Sequence, residues 1–258
     1  MKYIAIVLNN FYSELSFKFN LIAGILTEIS SLVLGIFAWL AVYRSTGGGE
    51  IGGFDQGDML VYLSVSHMSA ILLSTGIVVQ TGGYIKRGRL TTFLLRPYSF
   101  LGENLSAYLG RRLIYLIAYT LLLVVFSWKE SSGGYYLLVF VALLVNFLMF
   151  FTLMQGIGNL AFFITEMWPI RPLVNALYFL LGGIYFPLNL LPYNIYRFLR
   201  YNPFAMATYQ FTLAVEKKLE ISELVRNISI SFWWLVFFYL IYKLSFRAGL
   251  KRYEGMGA

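Results

Sequence analysis

Apolar segments long enough to cross a lipid bilayer recur along the whole chain. A membrane-spanning helix needs about 20 mostly apolar residues, because the hydrocarbon layer is about 30 Å thick. The predicted spans lie at about residues 20–42, 59–79, 113–128, 135–164, a short stretch between Pro172 and Pro187, and 228–246. Only 12% of the residues are charged, against about 25% in soluble domains. We therefore predict an all-α integral membrane protein with six transmembrane helices, forming one domain over residues 1–258.

The N-terminal segment, residues 1–19, has the pattern of an amphipathic helix. In a helix its apolar residues share one face: Ile4, Val7, Leu8, Phe11, Leu15 and Phe19. Polar residues, including Asn10, Glu14 and Lys18, interrupt the apolar run that a signal peptide would need. We predict an interfacial helix that stays in the mature protein.

The distribution of basic residues predicts the orientation of the spans. Thirteen of the 20 lysines and arginines fall on the side of the two termini, where residues 80–112 contain the densest basic block. The other seven are Arg44, Lys129, Arg197, Arg200, Lys217, Lys218 and Arg226. Because cytoplasmic loops carry the excess of Lys and Arg, both termini are predicted to be cytoplasmic.

Residue usage excludes most catalytic chemistry. The chain has no cysteine and one histidine, His67, which excludes thiolate catalysis and a multi-histidine metal site within one chain. It has no phosphate-binding G-x-x-x-x-G-K-[ST] loop, so any ATP must be hydrolysed by another subunit. We predict no enzyme activity and no cofactor in this chain. The net charge of +8 is explained by topology and anionic lipid rather than by nucleic acid.

Three segments resemble the ATP-binding-cassette permeases of the type-2 export class. IKRGRLTTFLLRPYS, residues 85–99, is similar to the cytoplasmic loop of that family. GGIYFPLNLLP, residues 182–192, resembles its broken fifth span and outer hairpin, and LKRYEGMGA, residues 250–258, resembles the ending of one subfamily. The resemblance implies a cell-membrane exporter in which two permease chains, identical or different, pair with ATPase chains that hold ATP and Mg²⁺.

The basic loop is the candidate ATPase-coupling segment. A short amphipathic helix at the cytoplasmic face can dock into a groove on a partner and transmit its motion. The candidate residues are Ile85, Lys86, Arg87, Gly88, Arg89, Leu90, Leu94, Leu95, Arg96 and Pro97. The alternative is that the basic residues fix only the topology and contact anionic lipid.

Four polar residues within the predicted spans are candidates for a translocation path: Glu28, His67, Asn146 and Asn175. A carboxylate within a span must face protein or water, because lipid exposure is costly. Glu28 therefore either contacts the path or forms a structural hydrogen bond. The other three are equally consistent with hydrogen-bonded packing between helices.

The fifth span is broken, because Gly182, Gly183 and Pro187 follow one another within a few residues. Backbone groups that lose their helical partners must be buried in protein or face water. We predict a re-entrant hairpin, and its candidate outer-gate residues are Phe186, Pro187, Asn189 and Pro192. The alternative is a packing element that shields a dimer from lipid. After it, an Asn202–Pro203 cap predicts a short helix on the membrane surface.

The leading functional prediction is the permease subunit of an ATP-driven exporter, paired with a second permease chain and with ATPase subunits. A self-sufficient secondary transporter would need ion-coupling carboxylates, and only Glu28 lies well inside a span. A membrane scaffold or immunity protein stays an open alternative.

Overall fold

The computed structural model describes residues 2–129, 132–164 and 166–253, which form helices joined by turns. An isolated antiparallel bridge joins Ile51 and Phe54. The α-helices are α1 Lys2–Ser16, α2 Lys18–Ser45, α3 Gln56–Leu72, α4 Gly76–Lys86, α5 Leu90–Leu94, α6 Phe100–Lys129, α7 Gly133–Gly158, α8 Ile170–Leu181, α9 Tyr193–Leu199, α10 Pro203–Ala207, α11 Tyr209–Val215 and α12 Ile221–Leu250. Two 3₁₀ turns cover Asn159–Phe162 and Leu188–Leu190.

Five helical segments in the described part of the chain are long and apolar enough to cross a membrane. They are Ile22–Ser45, Gln56–Lys86, Phe100–Trp128, Gly133–Phe162 and Ile221–Leu250. The predicted fifth span is α8, which has 12 residues and is therefore about 18 Å long. It is too short to cross about 30 Å of hydrocarbon by itself.

The basic block at residues 80–112 is mostly helical, which differs from the predicted loop. α4 continues to Lys86, and α6 already begins at Phe100, so the connection between them is short. Arg111 and Arg112 therefore lie within a spanning helix. The start of α6 is stabilised by the Ser99 hydroxyl, which accepts a hydrogen bond from the Gly102 N–H at 3.1 Å.

The packing core is built around α7. More than half of its most apolar window is buried, and its most extensive contact is with α12. Phe150 and Phe151 are fully enclosed, and Tyr178 of α8 packs on the Phe150 ring at 4.7 Å. In contrast, none of the apolar window of α2 is buried within the chain. α2 is therefore peripheral, and its apolar surface is left for lipid or another chain.

The helix predicted on the membrane surface after Asn202 is instead buried, so that prediction is wrong. Its start is as expected, because the Asn202 side chain accepts hydrogen bonds from the N–H groups of Phe204 and Ala205, and Pro203 is the first helical residue. All of α11 and most of α10 are buried against α3 and α7. Even its polar residues Thr208, Gln210 and Thr212 are buried, so the segment has no face directed to water.

α1 packs along the first part of α6, and its half-buried side chains include Val7, Asn10 and Phe11. Gly110 permits the contact, since a methyl group there would lie 2.3 Å from the Val7 carbonyl oxygen. Arg111 donates to the Asn10 side chain at 3.0 Å. Ile4 and Leu8 are exposed. α1 therefore leaves part of its apolar surface exposed, whereas Val7 and Phe11 are half-buried.

This close approach gives the first testable prediction. Gly110→Ala is expected to destabilise the chain by about 1–3 kcal/mol, because the new methyl group meets backbone that cannot rotate away. Gly134→Ala is the matched control, since a methyl group there contacts nothing within 4 Å and alanine favours helix. The midpoint of thermal unfolding in detergent measures both. An equal midpoint for the two variants would show that α1 does not need this contact.

Candidate coupling segment, polar groove and outer hairpin

The coupling segment folds as a tight turn followed by one short helix. Gly88 has a positive φ of 68°, a conformation that glycine adopts without steric cost, and the turn leads directly into α5. Ile85 and Leu90 are buried, whereas Leu94 and Leu95 are 46% and 82% exposed. The segment is therefore held in the fold by its buried apolar residues Ile85 and Leu90, and it presents Leu94 and Leu95 on its surface.

Aromatic rings fix α5 to the ends of three spanning helices. Phe93 of α5 lies 4.7 Å from the Tyr84 ring of α4 and 5.3 Å from the Phe100 ring of α6. Phe100 in turn stacks on Phe246 of α12 at 5.5 Å. The Tyr253 hydroxyl also accepts a hydrogen bond from the Thr91 N–H at 3.2 Å. A force applied to α5 thus reaches α4 and α6 directly, and α12 through the Phe100 ring.

The basic residues of the segment have different surroundings. Arg96 forms an ion pair with Glu103 at the start of α6 and lies over the Phe93 ring, so it stabilises the local fold. Lys86, Arg87 and Arg89 are exposed and form no ion pair within the described residues. The Arg89 guanidinium lies 5.6 Å from the centre of the Tyr84 ring, and all three charged side chains are exposed to a partner.

The four candidate path residues are not gathered into one cavity in the described part of the chain. His67 is buried, its Nδ1 contacts the Leu63 carbonyl at 2.9 Å, and its Nε2 has no partner. Asn146 lies in a tight buried space beside Gln210 and Asn227. Asn175 accepts a hydrogen bond from Thr75, which joins α8 to the break between α3 and α4.

Glu28 faces a polar groove that the sequence did not predict. The groove has a volume of about 250 Å³ and is lined by charged residues from four helices: Glu14 of α1, Glu28 of α2, Arg112 of α6 and Arg171 of α8. These residues are far apart in the sequence, so no local motif marks them. One sequence feature does distinguish three of these charged residues: Glu28, Arg112 and Arg171 are each followed by an uncharged run of at least 15 residues.

The backbone of the outer hairpin is stabilised by hydrogen bonds from other parts of the chain. Tyr62 of α3 donates to the Gly183 carbonyl at 2.5 Å, and Trp39 of α2 donates to the Tyr185 carbonyl at 2.8 Å. The Tyr209 N–H donates to the Gly182 carbonyl at 3.1 Å. The break after α8 therefore leaves these carbonyl groups paired, as backbone within a membrane requires.

The tip of the hairpin is attached to the loop between α2 and α3. Asn189 donates to the Gly52 carbonyl at 2.7 Å, and a methyl group on Gly52 would collide with Leu190. Pro187 has an extended backbone and precedes the buried Leu188. The candidate gate residues Phe186 and Pro192 lie on either side of this short turn.

A buried carboxyl group lies at the end of α11, in the connection to α12. The Glu216 side chain is 5% exposed, and the Lys218 ammonium group lies 3.7 Å from its carboxyl group. Lys218 pairs more closely with Asp58, at 2.7 Å, and lies 3.8 Å from the centre of the Phe54 ring. Burial raises the pKa of Glu216 to about 8, although the Lys218 charge opposes that shift. The protonated carboxyl group is therefore the form that this fold favours.

The long apolar helices define a multi-pass membrane protein. The sequence model described as ABC-2 family transporter protein matches residues 29–257. The chain belongs to the ABC-2 transporter family, which confirms the resemblance drawn from residues 85–99 and 182–192. No curated protein matches the chain. Members of this family are membrane transport components that normally work with an ATPase subunit and are not themselves catalytic.

Proposed function

We propose that the chain, as one permease domain over residues 1–258, is the membrane-spanning subunit of an ATP-driven exporter in the cell membrane. It pairs with a second permease chain and with ATPase subunits, which hold ATP and Mg²⁺. Both termini and α5 face the cytoplasm, and α8 with the hairpin at 182–192 forms a re-entrant fifth span. α1 serves as the N-terminal membrane-associated helix beside α6.

One observation carries this proposal: α5 is anchored to the ends of α4, α6 and α12, yet its outer surface is free. Lys86, Arg87 and Arg89 are exposed there, together with Leu94 and Leu95. An apolar patch bordered by cations suits a partner groove with an acidic rim. Movement of that partner during ATP hydrolysis would be transmitted to three spanning helices at once.

Reversing two of these charges tests the coupling. The double variant Arg87→Glu and Arg89→Glu is expected to reduce the amount of P-loop ATPase that copurifies with the tagged chain from native membranes by about tenfold. Arg44→Glu is the matched control, because Arg44 is also exposed but lies at the far end of α2. Quantitative mass spectrometry of the purified complexes gives the ratio. An undiminished amount of copurified ATPase with the double variant would show that the basic residues only set the membrane topology.

Single cysteines test the proposed orientation, since the natural chain has none. An impermeant thiol reagent is expected to label cysteines at Gly49 and Ser222 from outside intact cells, and to label one at Ser99 only after lysis. Ser99 and Ser222 are exposed, and Gly49 has open space around it and no positive φ. External labelling at Ser99, with the other two positions protected, would show that the orientation is the reverse of the proposed one.

A further inference from the structure

The groove that contains Glu28 has the charge pattern of a binding site for a small zwitterion. Its carboxylates come from α1 and α2, and its guanidinium groups come from α6 and α8. None of the four side chains forms an ion pair with another in the described part of the chain. Two acids and two bases that do not pair with each other leave both signs of charge available to a ligand.

The position of the groove along its helices indicates what can reach it. Arg112, which lines the groove together with Glu28, is the last charged residue before the uncharged run at 113–128, which measures about 24 Å as a helix. Because the hydrocarbon layer is about 30 Å thick, charges at the end of such runs lie at the level of the lipid headgroups. In the proposed orientation this is the cytoplasmic leaflet.

We propose that this groove binds the headgroup of a zwitterionic phospholipid of the ethanolamine type. Arg112 and Arg171 would receive the phosphate group, since guanidinium groups donate charge-assisted hydrogen bonds to phosphate oxygens. Glu14 and Glu28 would accept hydrogen bonds from the ammonium group. An anionic headgroup fits less well because the two carboxylates repel it, and a choline headgroup has no N–H to donate.

The volume of the groove agrees with this ligand. A space of about 250 Å³ is smaller than the pockets of about 300–1,000 Å³ that hold drug-sized molecules. The apolar surface of α2, which the chain leaves unburied, lies beside the groove and can contact the acyl chains. The inference rests on the proposed orientation and does not depend on transport.

The test measures lipid binding by the purified chain without any ATPase, so that its failure leaves the proposed transport function untouched. Dihexanoyl phosphatidylethanolamine is titrated in detergent, and the shift in the thermal unfolding midpoint gives the dissociation constant. Arg112→Gln and Glu28→Gln are each expected to raise this constant at least about tenfold, the usual loss for a charge-assisted hydrogen bond. Arg44→Gln, an exposed arginine elsewhere on α2, is expected to bind as the natural chain does.

Titrations with three other ligands test whether both charges of the headgroup contribute to binding. Dihexanoyl phosphatidylglycerol and phosphatidylcholine are expected to bind at least about tenfold more weakly, and soluble O-phosphoethanolamine likewise. Equal binding of the glycerol lipid, or no effect of Glu28→Gln, would overturn the zwitterion assignment. Equal binding of O-phosphoethanolamine would overturn the assignment to a lipid.

Two further measurements keep the result unambiguous. Arg112→Lys and Glu28→Asp, which retain the charges, are expected to recover part of the lost affinity even where the glutamine variants fold poorly. The oligomeric state is followed by native mass spectrometry in the same samples. If the variants change only the association of two chains and leave lipid affinity intact, the groove is a contact between permease copies and the proposal fails.

Discussion

A disulfide between cysteines placed at Asn189 in two paired permease chains is expected to abolish export while leaving the complex assembled. The hairpin at 182–192 ends a helix short of the proposed outer surface, so it forms the thin part of the barrier on that side. If it closes the exit, a covalent link across the pair prevents opening. ATP hydrolysis coupled to transport should then fall at least about tenfold in reconstituted vesicles, the effect of removing one obligatory conformational step.

The chain's lack of cysteine makes this cross-link specific, and reduction with dithiothreitol supplies the internal control. Activity should return on reduction, because Asn189→Cys removes only the hydrogen bond to the Gly52 carbonyl. A cysteine at Gly49, in the loop beside α2 with nothing within 4 Å, serves as the uncrosslinked control. Undiminished activity with the cross-link complete would mean that the hairpin is a static packing element.

Glu216→Gln is expected to remove most of the pH dependence of stability between pH 5 and 8. The fold favours the protonated carboxyl group, whose pKa is raised to about 8, whereas the unfolded chain releases that proton near the ordinary glutamate pKa of 4.5. The natural chain should therefore lose stability as the pH rises through this window, by about 1.4 kcal/mol per unit. The total is on the order of 4 kcal/mol. Above the folded pKa the loss is complete.

The glutamine variant has no proton to lose at this position, so its unfolding midpoint should depend on pH much less than that of the natural chain across the same window. It should equal the natural chain near pH 5 and exceed it at pH 8.5. Glu220→Gln is the matched control, because Glu220 is exposed and lies four residues away. Thermal unfolding in one detergent, measured at half-unit steps of pH, gives all three curves. Parallel curves for Glu216→Gln and the natural chain would contradict the assignment.

The apolar runs were sufficient to predict the long helices, because a bilayer requires them regardless of what packs around them. Five predicted spans correspond to long helices. Their ends were less predictable: α6 begins at Phe100 rather than near Leu113, since polar residues such as Glu103 and Arg111 find partners on Arg96, Asn10 and Gln80. Those partners come from tertiary contacts that a local pattern does not contain.

The segment around α10 and α11 was wrongly predicted to lie on the membrane surface because it is rich in aromatic and basic residues. Tyr201, Tyr209 and Arg200 suggested the headgroup layer, where such residues are common. In the structure the arginine lies against the Tyr201 ring, while Tyr209 packs on Tyr62 of α3. The groove was missed for a related reason, since its charges were interpreted one helix at a time and only the fold brings them together.

The hydrogen bonds of the outer hairpin limit how fast and how far it can move. A flap that hinged alone would have to break the bonds from Tyr62, Trp39, Tyr209 and Asn189 together, at about 1 kcal/mol each and more where a buried group is left unpaired. Opening is cheaper if the hairpin travels as a rigid block with α2, α3 and α11, because all four bonds are then kept. Such collective displacements of helices take microseconds to milliseconds, so the slow step of a transport cycle would be set by helix sliding rather than by the fluctuation of a loop.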